Sequence, residues 1–248
     1  MTDDFDDNLP SGGETTRRRK LYGRSKGKRL RTHHSSLMEN LLPRVQVVLP
    51  DAAPDGGFPI LDPGTLFSAG PAEVWLEVGF GGGEHLAFQA ENNPEVGIIG
   101  CEPFVNGMAK LLARIEERAL ANVRVFSTDA ALLLERLAPG SLSRIFILYP
   151  DPWPKARHNK RRFISQANLD LIARALKPGG QLRFVSDIDD YVEWTLGHVA
   201  RHGGFSGPDG GPEDWLKPPV DWFGTRYEAK AIREGRRGHY LDFRRIEP

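Results

Sequence analysis

Glu73-Val74-Trp75-Leu76-Glu77-Val78-Gly79-Phe80-Gly81-Gly82-Gly83-Glu84 is the stretch that decides the fold of this chain. Val74 to Val78 is a short apolar run ending in glycines and reads as a buried strand. Glu84 to Asn92 reads as a helix that stops before Pro94. Downstream the same alternation repeats. Strands are predicted at 96–101, 123–126, 144–149 and 181–185, with helices at 104–119, 130–137, 163–176 and 189–200. Lys177-Pro178-Gly179-Gly180 reads as a stop and turn, and 239–246 alternates like a final strand. Strand–helix alternation at this spacing predicts an α/β fold, a doubly wound, mostly parallel sheet with helices on both faces and a C-terminal antiparallel strand. Ligands in such sheets bind beyond the carboxyl ends of the strands, so the loops there are the place to look for chemistry.

Upstream of Glu73 the pattern is irregular. Residues 36–70 carry five spaced prolines and, beyond a short helix near 37–42, read as a connection. Residues 17–31, RRRKLYGRSKGKRLR, hold nine basic side chains and no acid. A solvated tail is one reading; an arm lying along phosphates is the sharper one. The chain thus divides into a disordered acidic start and basic RNA-contacting arm, 1–35, and a main domain, 36–248. The whole chain balances 33 basic against 33 acidic residues, so the arm's charge is hidden in the average. A single cysteine, Cys101, excludes an intrachain disulfide and a multi-cysteine zinc site. No apolar run is long enough to span a membrane and the start has no secretory h-region, so a cytoplasmic protein is expected. No histidine is assigned a metal, and nothing calls for an obligate protein partner.

The glycine loop discriminates between cofactors. A dinucleotide site wants a small residue six positions into G-x-G-x-x-G, and counting from Gly79 that position is Glu84. An acid there faces the place a pyrophosphate would take at the helix N-terminus. The loop suits S-adenosylmethionine, which brings no phosphate. Glu102, ending the second strand 25 residues after Glu77, is placed to accept hydrogen bonds from ribose hydroxyls, and Asp129, ending the third, to meet the adenine edge. Helix N-capping is the structural alternative for such acids, and Asp129 is placed to do it.

The fourth strand runs into Tyr149-Pro150-Asp151-Pro152-Trp153-Pro154-Lys155, then Ala156-Arg157-His158-Asn159-Lys160-Arg161-Arg162-Phe163. Three prolines in five residues fix a stiff loop. The basic residues that follow oppose the dipole of the helix predicted there, a cost that points to a phosphate counter-charge. This run resembles the signature of the tRNA (guanine-N7-)-methyltransferase family. The likeness extends from about Tyr22 to the C-terminus through EVGFGGG, GCEP, Asp129-Ala130, Ser186-Asp187 and Thr225-Arg226-Tyr227-Glu228. It implies a Rossmann-like class I methyltransferase fold, S-adenosylmethionine as donor, and N7 of guanine 46 in the tRNA variable loop as acceptor. It implies that Glu77, Gly79, Gly81, Glu102, Asp129 and Asp151 bind the cofactor, with Asp151 also catalytic. Lys155, Asp187 and Thr225–Glu228 would hold substrate, and Arg157, His158, Lys160, Arg161 and Arg162 would contact RNA. The family's usual T-K-F-E is here Thr-Arg-Tyr-Glu, and Ser186 stands where threonine is common. Three rivals are a methyltransferase for another substrate, which needs no basic arm, an RNA-binding module without catalysis, which needs no cofactor acids, and a metal enzyme.

Overall fold

The computed structural model describes residues 25, 27–53 and 56–247. The readings placed on residues 1–24 and 26, the acidic start and most of the basic arm, lie outside the described residues. Seven strands, β1 (Glu73–Val78), β2 (Val96–Cys101), β3 (Val123–Phe126), β4 (Leu142–Leu148), β5 (Leu176–Ser186), β6 (Phe205–Ser206) and β7 (His239–Arg245), form one sheet in the order β3-β2-β1-β4-β5-β7-β6. The first five run parallel, and β7 joins β5 and β6 antiparallel. The predicted fold class is therefore the observed one. β2 is buried along its whole length, as a parallel strand covered on both faces must be.

Side chains alternate across the sheet and feed two cores. Val74 and Leu76 enter the core beneath α5 (Ala130–Arg136), α6 (Gln166–Ala175) and α7 (Asp189–His202). Trp75 enters the other, beneath α3 (Glu84–Asn92) and α4 (Val105–Glu117). The predicted stripe Met108, Leu111, Leu112, Ile115 of α4 is buried there. α1 (Thr32–Asn40) packs on α4, and α2 (Leu42–Val45) follows it. α1 begins inside the stretch assigned to the arm, so a helix runs across the expected boundary at 35/36. The turn at Lys177–Gly180 is absorbed inside β5: Leu176 pairs with Leu142, then Gln181 with Arg144, and the four residues between bulge outward.

The segment after β6 ends in a helix that the sequence reading does not include, α8 (Arg226–Arg233). Asp221 ties this segment to the sheet, its carboxylate accepting from Arg144 Nη2 and Arg183 Nη1, both at 2.7 Å. Burial pushes that carboxyl up, but the two guanidinium partners win and hold it below the usual range. No helix among the described residues is long and apolar enough to cross a membrane.

Candidate functional site

The strand order reverses between β1 and β4, and a cavity of about 660 Å³ opens beyond their carboxyl ends. Gly79, Gly81, Glu102, Asp129 and Asp151 line it. Glu102 is 9% exposed, and its carboxylate holds two loops at once. Oε2 accepts from Gly81 N–H at 2.8 Å and Oε1 from Phe104 N–H at 3.0 Å. Burial drives its pKa up and the nearby Asp151 charge adds to this, against the two N–H bonds and Arg226. Gly81 has φ +58°, a left-handed turn that disfavours any side chain. Gly107 in α4 approaches it so closely that a Cβ there would lie 2.3 Å from Gly81 O. Asp129 also caps α5, accepting from Ala131 N–H at 3.0 Å, so one of its oxygens is spent structurally.

The loop after β4 is held in an uncommon conformation. Tyr149 (φ +48°) and Trp153 (φ +46°) are both left-handed and each precedes a proline, a combination the pyrrolidine ring disfavours. Non-glycine residues so placed persist only where their surroundings over-determine them, and they cluster at functional sites. Between them Asp151 is exposed and makes no hydrogen bond or ion pair with any described residue. The basic run that follows is a 3-10 turn, Ala156–Arg161; α6 starts only at Gln166, capped by Ser165. The dipole cost expected for those cations is therefore absent, and it calls for no phosphate counter-charge. Lys160 and Arg161 line the cavity, and Lys155 and Arg157 stand exposed beside it. The His158 ring meets Trp153 edge-on at 6.1 Å. Its pKa is pushed down by desolvation and by Arg161, Arg157, Lys155 and Lys160.

Residues 71–241 match a family described as putative methyltransferases. The tRNA (guanine-N(7)-)-methyltransferase of Agrobacterium fabrum is 52% identical over 223 residues, covering 90% of this chain and 94% of its own length. That of Azorhizobium caulinodans is 49% identical over 233 residues, covering 94% and 98%. The chain belongs to the tRNA (guanine-N7-)-methyltransferase family. Among solved structures, the 16S rRNA methyltransferase KamB aligns with a TM-score of 0.51 at 19% identity, over 72% of this chain and 89% of that one. That likeness speaks for a shared fold alone.

Several expected site residues of this methyltransferase lie off the cavity wall. Glu77 turns to α3, where its buried Oε2 meets His85 Nδ1 at 2.7 Å. Asp187 accepts from Arg236 Nε at 2.7 Å. Thr225 caps α8, its Oγ1 accepting from Glu228 N–H at 3.1 Å. Glu228 accepts from Trp222 Nε1 at 3.0 and 3.1 Å and from the Tyr240 hydroxyl. Arg226 lies over the Tyr227 ring at 4.8 Å, and Tyr227 reaches across Gly81 into the cavity. Arg162, expected on RNA, is instead enclosed: its side chain is 0% exposed. It borders the cavity, with Tyr191 and Trp194 stacked near its guanidinium and its donors turned to Pro152 and Asp190.

Sequence reasoning left out Tyr149 and Phe104, which line the cavity, Gly107, which packs on the glycine loop, and α8. Thr225-x-x-Glu228 was a legible signal for α8, since it is the spacing of a helix capping box. His198 and His202 stand one turn apart on α7, a metal-like spacing. His198 Nδ1 lies 2.8 Å from Trp194 O, both His202 nitrogens are bonded, to Asp170 and Gly204, and no metal-holding cluster occurs among the described residues.

Proposed function

We propose that this chain transfers a methyl group from S-adenosylmethionine to N7 of a guanine in tRNA, at position 46 of the variable loop, in the cytoplasm. The observation that carries the reading is one cavity, at the switch point of the sheet, walled by strand-terminal Glu102, Asp129 and Asp151 and bordered by Lys160 and Arg161. Relatives about half identical are named for this reaction. The cofactor, when bound, supplies a methyl group made electrophilic by its sulfonium. Glu102 would accept the ribose hydroxyls, Asp129 would meet the adenine edge with its remaining oxygen, and Gly79 and Gly81 leave room for close backbone approach. Lys155, Arg157, His158, Lys160 and Arg161 form a basic rim for the RNA, and the Thr225–Glu228 turn covers the glycine loop. The described end of the basic arm is tethered beside this cavity: Val105 N–H donates to Ser25 O at 3.0 Å, and Asn106 bonds Gly27 N–H and Lys28 O, each at 2.7 Å. That anchoring of Ser25, Gly27 and Lys28 next to α4 supports the reading of the arm as an RNA contact.

Guanine N7 carries a lone pair and no proton, so its attack requires no general base. As the purine becomes cationic, the exposed carboxylate of Asp151 compensates the charge and orients the base. Single-turnover methylation of unmodified tRNA at saturating cofactor tests this. Asp151→Ala should lose about 10²–10³ in rate, as removal of one preorganised electrostatic group does. Asp151→Asn, which keeps the hydrogen bonds, should retain part of the rate. Equal, near-complete loss in both folded variants would mean proton removal. Absence of 7-methylguanosine from the wild-type product, or its formation on tRNA lacking guanine 46, would refute the assigned reaction or position.

A further inference from the structure

Five basic side chains crowd between Ala156 and Phe163, yet one of them behaves unlike the rest. We propose that Arg162 is a positioning residue, a clamp between the Asp151 loop and the start of α7 that sets where Asp151 stands; this rests on the function proposed above. Its guanidinium reaches two segments at once. Nε donates to Pro152 O at 2.9 Å, on the residue that follows Asp151. Nη1 donates to Asp190 O at 3.3 Å, and Nη2 pairs with the Asp190 carboxylate. Asp190 opens α7, three residues after Asp187.

The rings of Tyr191 and Trp194 lie 4.8 and 5.2 Å from the guanidinium carbon and leave the side chain 0% exposed. Those rings are themselves fixed. Trp194 Nε1 donates to Ile164 O at 2.8 Å, and the Tyr191 hydroxyl accepts from Ile164 N–H at 3.4 Å. The clamp therefore rests on the rigid junction of α6 and α7, while its free end holds the loop that carries Asp151.

A planar group with donors fanned in one plane and faces open to stacking meets these demands together. Lysine keeps the charge but offers a single ammonium that cannot bridge both carbonyls and stack between two rings. A phosphate contact would tolerate that exchange; a clamp does not. Asp190 sharpens the distinction. Its carboxylate is 65% exposed and, being an anion, cannot hold RNA. Its removal weakens the clamp and, if anything, strengthens RNA binding.

The test uses Arg162→Lys and Asp190→Ala in the full chain, with Arg157→Ala as the phosphate-contact comparison. In Arg162→Lys the single-turnover rate at saturating tRNA and cofactor should fall by about 10–10²-fold, the scale of a small misplacement of a reacting group. Its tRNA affinity and salt slope should stay at wild-type values. Asp190→Ala should lose rate in the same direction without losing tRNA affinity. Arg157→Ala should show the opposite signature, weaker tRNA binding with a salt slope shallower by about one. Amide exchange at Tyr149, Asp151, Trp153 and Lys155 should quicken in both clamp variants whatever the substrate. A wild-type protein inactive on tRNA would therefore sink the functional reading, while exchange alone would decide the clamp. A wild-type rate in both variants, a shallower salt slope in Arg162→Lys, or unchanged exchange overturns the proposal. If Arg162→Lys does not fold, Asp190→Ala decides, because it alters an exposed side chain.

Discussion

Replacing Glu102 by glutamine probes the cofactor half of the site with the smallest change of shape. The carboxylate accepts from Gly81 N–H at 2.8 Å and Phe104 N–H at 3.0 Å, and each oxygen keeps a lone pair for a ribose hydroxyl. An amide retains one acceptor oxygen; its NH2 group must face the other N–H, donor against donor. That NH2 group also cannot accept from a ribose hydroxyl, so one charge-assisted hydrogen bond to the cofactor is lost, worth about 1.5–3 kcal/mol. At 1.4 kcal/mol per decade, cofactor affinity should fall by about 10- to 150-fold. The raised pKa of Glu102 adds a pH signature. Binding uses the ionised form, so wild-type affinity should drop as pH falls through that raised pKa. Burial favours the proton in the folded apo protein, so acidification relieves this site's cost to the fold while it weakens binding: the two effects have opposite signs. Glu102→Gln has nothing to titrate there, and both dependences should flatten. Titration calorimetry with S-adenosylhomocysteine across pH 4–8, alongside thermal melts, reads all three quantities. An affinity within twofold of wild type in a folded variant would refute the reasoning.

Deleting residues 1–24 removes five of the arm's nine basic residues and spares the tether at Ser25–Lys28. The tRNA-binding salt slope should become shallower with cofactor affinity unchanged, and an identical slope would make the arm a passive tail. Gly107→Ala drives a Cβ to 2.3 Å from Gly81 O, a backbone atom that cannot step aside. Overpacking of this kind costs about 1–3 kcal/mol, and about 2–4 °C of Tm per kcal/mol follows for a chain of this size; cofactor affinity should fall with it, and an unchanged melt would show that the loop yields freely.

The parallel sheet was legible because each strand is a short apolar run closed by turn residues, and because the helices between have buried faces at 3.6 spacing. The limits of that reading are equally physical. β5 absorbs Lys177–Gly180 as a bulge, since its pairing with β4 resumes after the excursion, and local sequence reads only the turn. α8 has Ala231 as its one buried residue, so it presents no apolar stripe to detect. The cations after Lys155 read as the N-terminal approach to a helix at 163–176; they form a 3-10 turn of their own, and the helix begins only at Gln166. Arg162 sits among four other basic side chains, and nothing local separates the one that turns inward. That direction is set by Tyr191 and Trp194, some 30 residues away along the chain.

The acids of the site differ most in what already holds them, and this no spacing rule could tell. Glu77 is committed to His85, Asp187 to Arg236, and Glu228 to Trp222 and Tyr240. Asp129 spends one oxygen on the cap of α5, and Glu102 gives one lone pair of each oxygen to a backbone N–H. A carboxylate neutralised by a guanidinium or saturated by donors has little field left to offer a substrate that becomes cationic. Asp151 alone among them has no described partner, and it stands in a loop whose motion the prolines and the Arg162 clamp restrict. On the proposed reaction, a carboxylate without a described hydrogen-bond partner at the mouth of the cavity is free to meet the charge that appears on the purine, and the stabilising group must already be in place. Among the partnered acids, Glu102 ties the glycine turn to the start of α4, while Glu77, Asp187 and Glu228 are spent on partners away from the cavity wall.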